Sequence, residues 1–321
     1  MGRVALLPAG PDPFLLAYWF RNFAVWADEV DELHVLVCGQ SDPYAIAYIR
    51  SFEGPKVQIR FHEARMDHGQ AMELLMDTTE AEYVLFMEDD AYVRRSGEIE
   101  LRFQRLEAGT DIIGGPRGNA SMVIIDMAQG RFGSPWQAEL TGEAGHALWP
   151  CFLFARRSVL LATDQHYGAR GWQTGEYVDG LDFIADQPLS ADTFGSTTYQ
   201  LRANGARIEV EGQYRITNTT QMGEWIGRAP WFHVGSLSTG YGIVIGDASG
   251  GIADTNQSGG DWARRVSWWQ RFARTADALP DHLAHYRAGI ATFMADAGIS
   301  QSEVDTWSNA YQAWITWQEL P

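Results

Sequence analysis

The first ninety residues constrain the fold most. Four short strand-like runs occur there, at residues 4–7, 33–37, 57–61 and 83–87. All carry aliphatic, β-branched or aromatic residues, and the first and last read as buried strands. Helix signals fill the intervals. Asp12 precedes Pro13 at a first helical position, and that helix runs through Phe14, Leu15, Tyr18, Trp19 and Phe23 to about Trp26. Asp42-Pro43 opens a second helix through Ile46 and Ile49, and a third covers 69–76 with Met72, Leu75 and Met76 on one face. Strands alternating with helices predict a mainly parallel twisted sheet with right-handed crossovers, flanked by helices.

The fourth run ends in Glu88-Asp89-Asp90. Open α/β sheets bind ligands at the carboxyl ends of their strands. Carboxylate oxygens are hard ligands, suited to Mg2+ or Mn2+ beside a diphosphate. An acidic loop that merely ends a strand has the same local sequence.

After residue 94 the pattern changes. Residues 112–116 read as a strand and turn, 122–125 as a strand, and 128–147 as a loop. A buried strand over 149–154 leads into a short helix, and 163–191 is loop-like. A helix follows Asp192 and stops near Asn204-Gly205; a strand covers 206–210, and 229–237 is apolar. From about 260 the chain reads as helical. Trp262, Val266 and Trp269 follow helical spacing, and a second helix covers 281–296. A third opens on a capping box, Ser300 with Glu303, and carries Val304, Trp307, Tyr311 and Trp314 on one stripe.

Composition removes several function classes. The net charge of −17 gives no overall field that attracts nucleic acid. Lys56 is the only lysine among 321 residues, and it follows Gly54-Pro55. That context fits no P-loop, protein-kinase or pyridoxal site. Cys38 and Cys151 sit in apolar runs and read as buried thiols. No apolar run is long enough to span a bilayer and no leader pattern opens the chain, so a soluble cytoplasmic protein is expected.

Taken in order, these parts resemble the GT-A glycosyltransferases of the nucleotide-sugar-dependent, inverting family-2 kind, over roughly residues 3–240. Leu7-Pro8-Ala9 is similar to the family's first strand-to-loop turn. Residues 69–92, GQAMELLMDTTEAEYVLFMEDDAY, resemble its helix, strand and DxD motif. Residues 149–161, WPCFLFARRSVLL, are similar to the acceptor-side strand and helix, and 192–208, DTFGSTTYQLRANGARI, to the segment that opens with the base. Phe232-His233-Val234-Gly235-Ser236 resembles the late histidine segment.

The resemblance implies a GT-A (Rossmann-like) domain over 1–255, with a nucleotide-sugar half at 1–93 and an acceptor half at 94–255, and a helical C-terminal region at 256–321. It implies that Pro8, Ala9, Gly39, Asp67, Glu88 and Asp89 serve the nucleotide sugar, with a UDP-sugar favoured. Asp90 and His233 would hold Mn2+ or Mg2+, with Glu88 or Asp89 supporting through water. Asp192 would be the general base of an inverting displacement, with Asp179 and Asp182 as rivals. The acceptor would be a glycan or, as in phage-encoded enzymes working in host cytoplasm, a hydroxymethylated pyrimidine in DNA.

Locally, Asp192 also reads as a helix N-cap and His233 as a core residue. Trp136, Trp149, Trp172, Trp225 and Trp231 are candidate stacking platforms. The pairs Arg94-Arg95, Arg156-Arg157 and Arg264-Arg265 are candidate phosphate contacts or simply solvated. The C-terminal helices would cover the acceptor cleft or form a homodimer. Two rival readings are a non-catalytic glycan- or partner-binding module and a sugar-phosphate nucleotidyltransferase. LPAGPDP, residues 7–13, lacks the Gly-rich loop with Arg and Lys that the latter wants.

Overall fold

A computed structural model describes residues 2–11, 13–41, 43–116, 125–126, 131–132, 147–178, 183–185, 188–191, 193–211, 215–216 and 230–234. The C-terminal region 256–321, Asp12, Asp179, Asp182, Asp192, Trp136 and Trp225 lie outside the described residues.

The first half follows the alternation read from sequence. Its elements are β1 (Arg3–Ala9), α1 (Pro13–Trp26), β2 (Glu32–Cys38), α2 (Pro43–Arg50), β3 (Val57–His62), α3 (His68–Met76) and β4 (Tyr83–Met87). The second half is more irregular. It holds β5 (Ala91–Val93), α4 (Glu98–Glu107), β6 (Ile112–Pro116), β7 (Ile125–Asp126), β8 (Arg131–Phe132), β9 (Leu148–Arg156) and α5 (Arg157–Leu161). Then come β10 (Arg170–Trp172), β11 (Tyr177–Val178), β12 (Phe183–Ile184), β13 (Leu189–Ala191), α6 (Gly195–Ala203), β14 (Ile208–Val210), β15 (Arg215–Ile216) and β16 (Trp231–Val234).

Seven strands form the main sheet in the order β14-β6-β9-β4-β1-β2-β3. β3, β2, β1 and β4 run parallel, as do β14 and β6, while β9 is antiparallel to both its neighbours. The result is the mainly parallel, helix-flanked, Rossmann-like sheet that the sequence predicts. Burial explains the composition of its central strands. Val4, Leu6, Val84 and Phe86 pack on one face against Met72, Leu75 and Met76 of α3 and Leu201 of α6. Ala5, Leu7, Leu85 and Met87 pack on the other against Trp19, Phe23 and Trp26 of α1 and Phe103 of α4. With helices on both faces, apolar residues are needed at every position, so the runs are continuous rather than alternating.

Two departures from the sequence reading are instructive. Residues 163–191, read as a loop, contain four strands of two or three residues, too short for an alternating pattern to register. α4 falls where no helix was read, although Ile99, Phe103 and Leu106 are spaced for one face and are fully buried.

A second, three-stranded sheet, β15-β16-β5, sits at the carboxyl end of β4. Its edge strand β5 is tied to α1 by a side chain that imitates a strand. Asn22 Nδ2 donates to the Val93 carbonyl at 2.7 Å, and Asn22 Oδ1 accepts from the Val93 N–H at 2.8 Å. On its other side β5 pairs antiparallel with β16, setting His233 opposite Ala91.

Candidate metal centre

Strand order locates the crevice. β1 lies between β2 and β4, so the chain leaves β1 toward one side of the sheet and later returns to its other side. The carboxyl ends of β1 and β4 therefore flank a topological switch point, where such sheets bind ligands. Gly10 and Pro11 follow one strand and Glu88-Asp89-Asp90 the other.

The three carboxylates diverge. The chain turns between β4 and β5, closed by the Ala91 N–H on the Glu88 carbonyl at 3.1 Å. Glu88 and Asp90 both face His233. His233 Nε2 lies 2.8 Å from Glu88 Oε2 and 2.9 Å from Asp90 Oδ1. One ligand atom from each of the three lies within 4.8 Å of the others. Asp90 and His233 are buried, and Glu88 remains partly open. Asp89 turns away into the protein, where its Oδ2 accepts the Gly10 N–H at 2.7 Å.

This trio suits a hard divalent cation. Two carboxylates and one imidazole are a donor set that Mn2+ or Mg2+ accepts when phosphate oxygens supply further positions. The resting electrostatics agree. Burial pulls the His233 imidazole down, but the charges and hydrogen bonds of Asp90 and Glu88 outweigh it and lift the group to about 9. A positive charge is thus already favoured between the carboxylates at neutral pH. His233 Nδ1 is buried without a hydrogen-bond partner among the described residues, so the ring's polar contacts all run through Nε2.

Two further side chains meet Glu88. The Trp149 indole Nε1 donates to Glu88 Oε1 at 3.2 Å, and its ring packs edge-on against His233 with centroids 4.8 Å apart. His68, the first residue of α3, brings Nδ1 to 3.6 Å from Glu88 Oε1 and stays partly exposed. Sequence reasoning missed His68; its only signal was its place beside Asp67 at a helix start. Asp67 itself is the N-cap of α3, its carboxylate accepting from the Gly69 N–H at 2.9 Å.

The other residues of the nucleotide side cluster at the strand ends. Pro8 and Ala9 end β1, in register with Leu36 and Val37 of β2. Gly39 follows β2 at φ 80°, a left-handed position that favours glycine, and its N–H donates to the His62 carbonyl at 2.9 Å. Gln40 reaches back to the Pro11 carbonyl at 2.7 Å. Asp89 and Gln40 together grip the β1–α1 loop. Burial, with the Asp89 charge adding to it, pushes the nearby Cys38 thiol up to about 11, which makes it an inert, protonated core residue.

Three of the candidate stacking tryptophans are corrected by burial. Trp149, Trp172 and Trp231 are each at most 6% exposed, so none offers an open ring face. Trp231 stacks on Phe152 instead. Arg156 and Arg157 are also occupied, the first on carbonyls of Leu106 and Thr110 and on Asp111, the second on Glu80. The helix expected after Asp192 starts at Gly195, and Phe194 takes its cap position at φ 65°. The base assignment to Asp192, or to Asp179 or Asp182, lies outside the described residues.

No helix among the described residues is long and apolar enough to cross a membrane. No family model and no curated protein matches the chain. Among solved structures, it is similar to glucosyl-3-phosphoglycerate synthase from Mycobacterium tuberculosis in complex with Mn2+ and UDP-glucose, at 17% identity and a TM-score of 0.38. The same synthase with Mn2+, UDP-glucose and phosphoglyceric acid gives 18% and 0.38, and a mycobacterial protein gives 18% and 0.39. The likeness covers 50% of this chain, and 58%, 58% and 55% of those three chains in turn. At that overlap and identity it carries no activity across to this chain.

Proposed function

We propose that this chain is a metal-dependent glycosyltransferase that moves a sugar from a nucleotide-sugar donor to an acceptor hydroxyl. One observation carries the reading: Glu88, Asp90 and His233 converge at the carboxyl end of β4, at the switch point of the sheet. A donor set at that place suits a cation shared with a diphosphate. The cation, Mn2+ or Mg2+, supplies neutralisation of the charge that develops on the leaving diphosphate. Glu88, Asp90 and His233 hold it. Asp89 and Gln40 fix the β1–α1 loop against which the nucleotide lies, with Pro8, Ala9 and Gly39 at the strand ends beneath. Asp67 sets the start of α3, and so the place of His68 beside Glu88.

The finer assignments rest on the sequence resemblance. A UDP-sugar is the favoured donor. Asp192 takes the acceptor proton as the hydroxyl attacks, with Asp179 and Asp182 as rivals; a positioned base is worth roughly 10²–10⁴-fold. The displacement inverts the anomeric centre. The acceptor is a glycan or, as the second reading, a hydroxymethylated pyrimidine in phage DNA, in which case salt-sensitive duplex binding is expected.

The test is titration of a nucleotide-sugar panel with Mn2+ or with chelator, on wild type and Asp90→Ala. Mn2+ with UDP-glucose, the pair held by the synthase structures, goes first. Metal-dependent binding of one donor that Asp90→Ala abolishes supports the reading. No donor bound under either condition overturns it in favour of a non-catalytic binding module. Once a donor is known, the anomer of the product tests inversion, and a retained anomer removes Asp192 from the role of base.

A further inference from the structure

We infer that Trp149 is a positioning residue of the cation site, placed there by an irregularity in β9 rather than by strand alternation. The inference rests on the proposed cation site and concerns what holds it in shape.

β9 opens with Leu148-Trp149-Pro150-Cys151-Phe152-Leu153-Phe154-Ala155. Successive side chains of a regular strand point to opposite faces. Leu153 and Ala155 belong to the core on the α3 face, and Phe154 to the core on the α1 and α4 face. Unbroken alternation would send Trp149 and Cys151 with Leu153, to the α3 face. They go the other way. Cys151 and Phe152, adjacent in sequence, share one core with Trp149 and Phe154, while Leu148 joins Leu153 and Ala155.

The break coincides with a register shift against β6. Gly114 pairs with Leu153 and the next residue, Gly115, with Trp149, so one step along β6 spans four along β9. A Cβ on Gly114 would stand 2.7 Å from Leu153 Cδ1, so the bare glycine leaves room for the Leu153 side chain beside the shift. An inserted stretch of this kind flips every residue beyond it to the opposite face and re-aims side chains near sites.

The re-aimed indole does two things at once. Its Nε1–H donates to Glu88 Oε1, leaving Oε2 to His233. Its ring edge packs on the His233 imidazole. Glu88 is the only one of the three donors with appreciable exposure, so its orientation is the least constrained by packing. An outer residue that bonds one carboxylate oxygen fixes where the other points, and such partners tune metal affinity about 10–100-fold.

The experiment is Mn2+ binding by the full chain without donor, read by the electron spin resonance of free Mn2+. The variants are wild type and Trp149→Phe, which keeps an aromatic filler and loses the N–H. The expected result is wild-type binding and about a tenfold weaker site in the variant, with an unchanged far-ultraviolet spectrum. Equal affinity within twofold overturns the inference, because a merely structural tryptophan would lower stability without moving the affinity. If Mn2+ binds only with UDP added, the comparison is run with UDP; wild type that binds Mn2+ neither alone nor with UDP is a different failure, visible before any variant is made. It overturns the cation site and the role of Trp149 with it. Should Trp149→Phe not fold, exchange of the Trp149 indole proton is compared in wild type and Glu88→Ala. Faster exchange in Glu88→Ala supports the bond; identical exchange overturns it.

Discussion

Asp89 holds the backbone of Gly10. Its buried carboxylate accepts the Gly10 N–H at 2.7 Å, tying the end of β4 to the loop that follows β1. The middle acid of the triplet thereby acts through the loop, while its neighbours face the imidazole. Asp89→Ala is expected to cost about 1–3 kcal/mol of stability, the cost of losing a charge-assisted hydrogen bond to a partly buried N–H. It should also weaken nucleotide-sugar binding while leaving Mn2+ binding without donor near wild type. Denaturant unfolding and the two titrations check this; equal loss of both ligands would make Asp89 part of the cation site.

Asn22 performs a similar service for β5. Its amide pairs with both backbone groups of Val93, and Trp26 Nε1 bonds its Oδ1 at 3.3 Å. Asn22→Leu keeps the volume and strands a buried N–H and carbonyl, for a loss of roughly 2–5 kcal/mol. Because β5 is the strand on which β16 lies, Mn2+ affinity should fall in the fraction that remains folded. Unfolding curves with and without Mn2+ test both parts.

The pH dependence follows from His233. Its imidazole, lifted from an ordinary 6.5 to about 9 by Asp90 and Glu88 against the pull of burial, binds its proton more tightly folded than unfolded. The stabilisation is fully present below pH 6.5 and is lost as pH rises through about 9. Its size is on the order of 3 kcal/mol. In chelator, wild type should lose stability between pH 6.5 and 9, and His233→Gln should not. A cation that takes Nε2 must displace that proton. Mn2+ affinity should therefore rise toward pH 9, with about one proton released per ion. Calorimetry in buffers of different ionisation heat counts it.

Gly69 offers a test of the wall beside the site. A Cβ there would stand 2.0 Å from the Gly168 nitrogen and 2.4 Å from the Tyr167 carbonyl carbon, so backbone meets backbone. Neither can step aside as a flexible side chain does. Gly69→Ala should cost about 3 kcal/mol or more and shift α3 with His68. Gly205→Ala makes a useful comparison. At φ 75° with open space around it, Gly205 pays only for its backbone conformation, about 1 kcal/mol.

How much of this is legible in the sequence depends on what each residue answers to. β1, β2 and β4 answer to burial on both faces, which writes itself as short, nearly continuous apolar runs, whereas β3 at the sheet edge buries only Ile59. The pairing of Asp90 with His233 was legible only through the order of segments, since 143 residues separate them and no local pattern links the two. Within the triplet, three carboxylates look alike in sequence. Only the turn after Met87 and the position of the β1 loop send Asp89 inward and Glu88 outward. Trp149 was read as an open platform because aromatic residues near a cleft suggest stacking. The register shift in β9 that buries it leaves no mark beyond a proline at 150 and a pair of glycines at 114 and 115 on the facing strand. The short strands between 170 and 191 answer to tertiary pairing and carry no periodicity of their own.

The pairing of β16 with β5 has a consequence for how the molecule comes into being. Glu88 and Asp90 leave the ribosome early, yet the imidazole that completes their set arrives about 145 residues later. Closing so long a loop is slow compared with forming the local βα units. The acids thus spend part of synthesis as an uncompensated pair at the end of a nascent strand, and no fragment that stops short of residue 233 holds all three donors. Cation affinity, followed as the chain lengthens, would serve as a late clock of folding that switches on only when the chain has crossed back to its own first half.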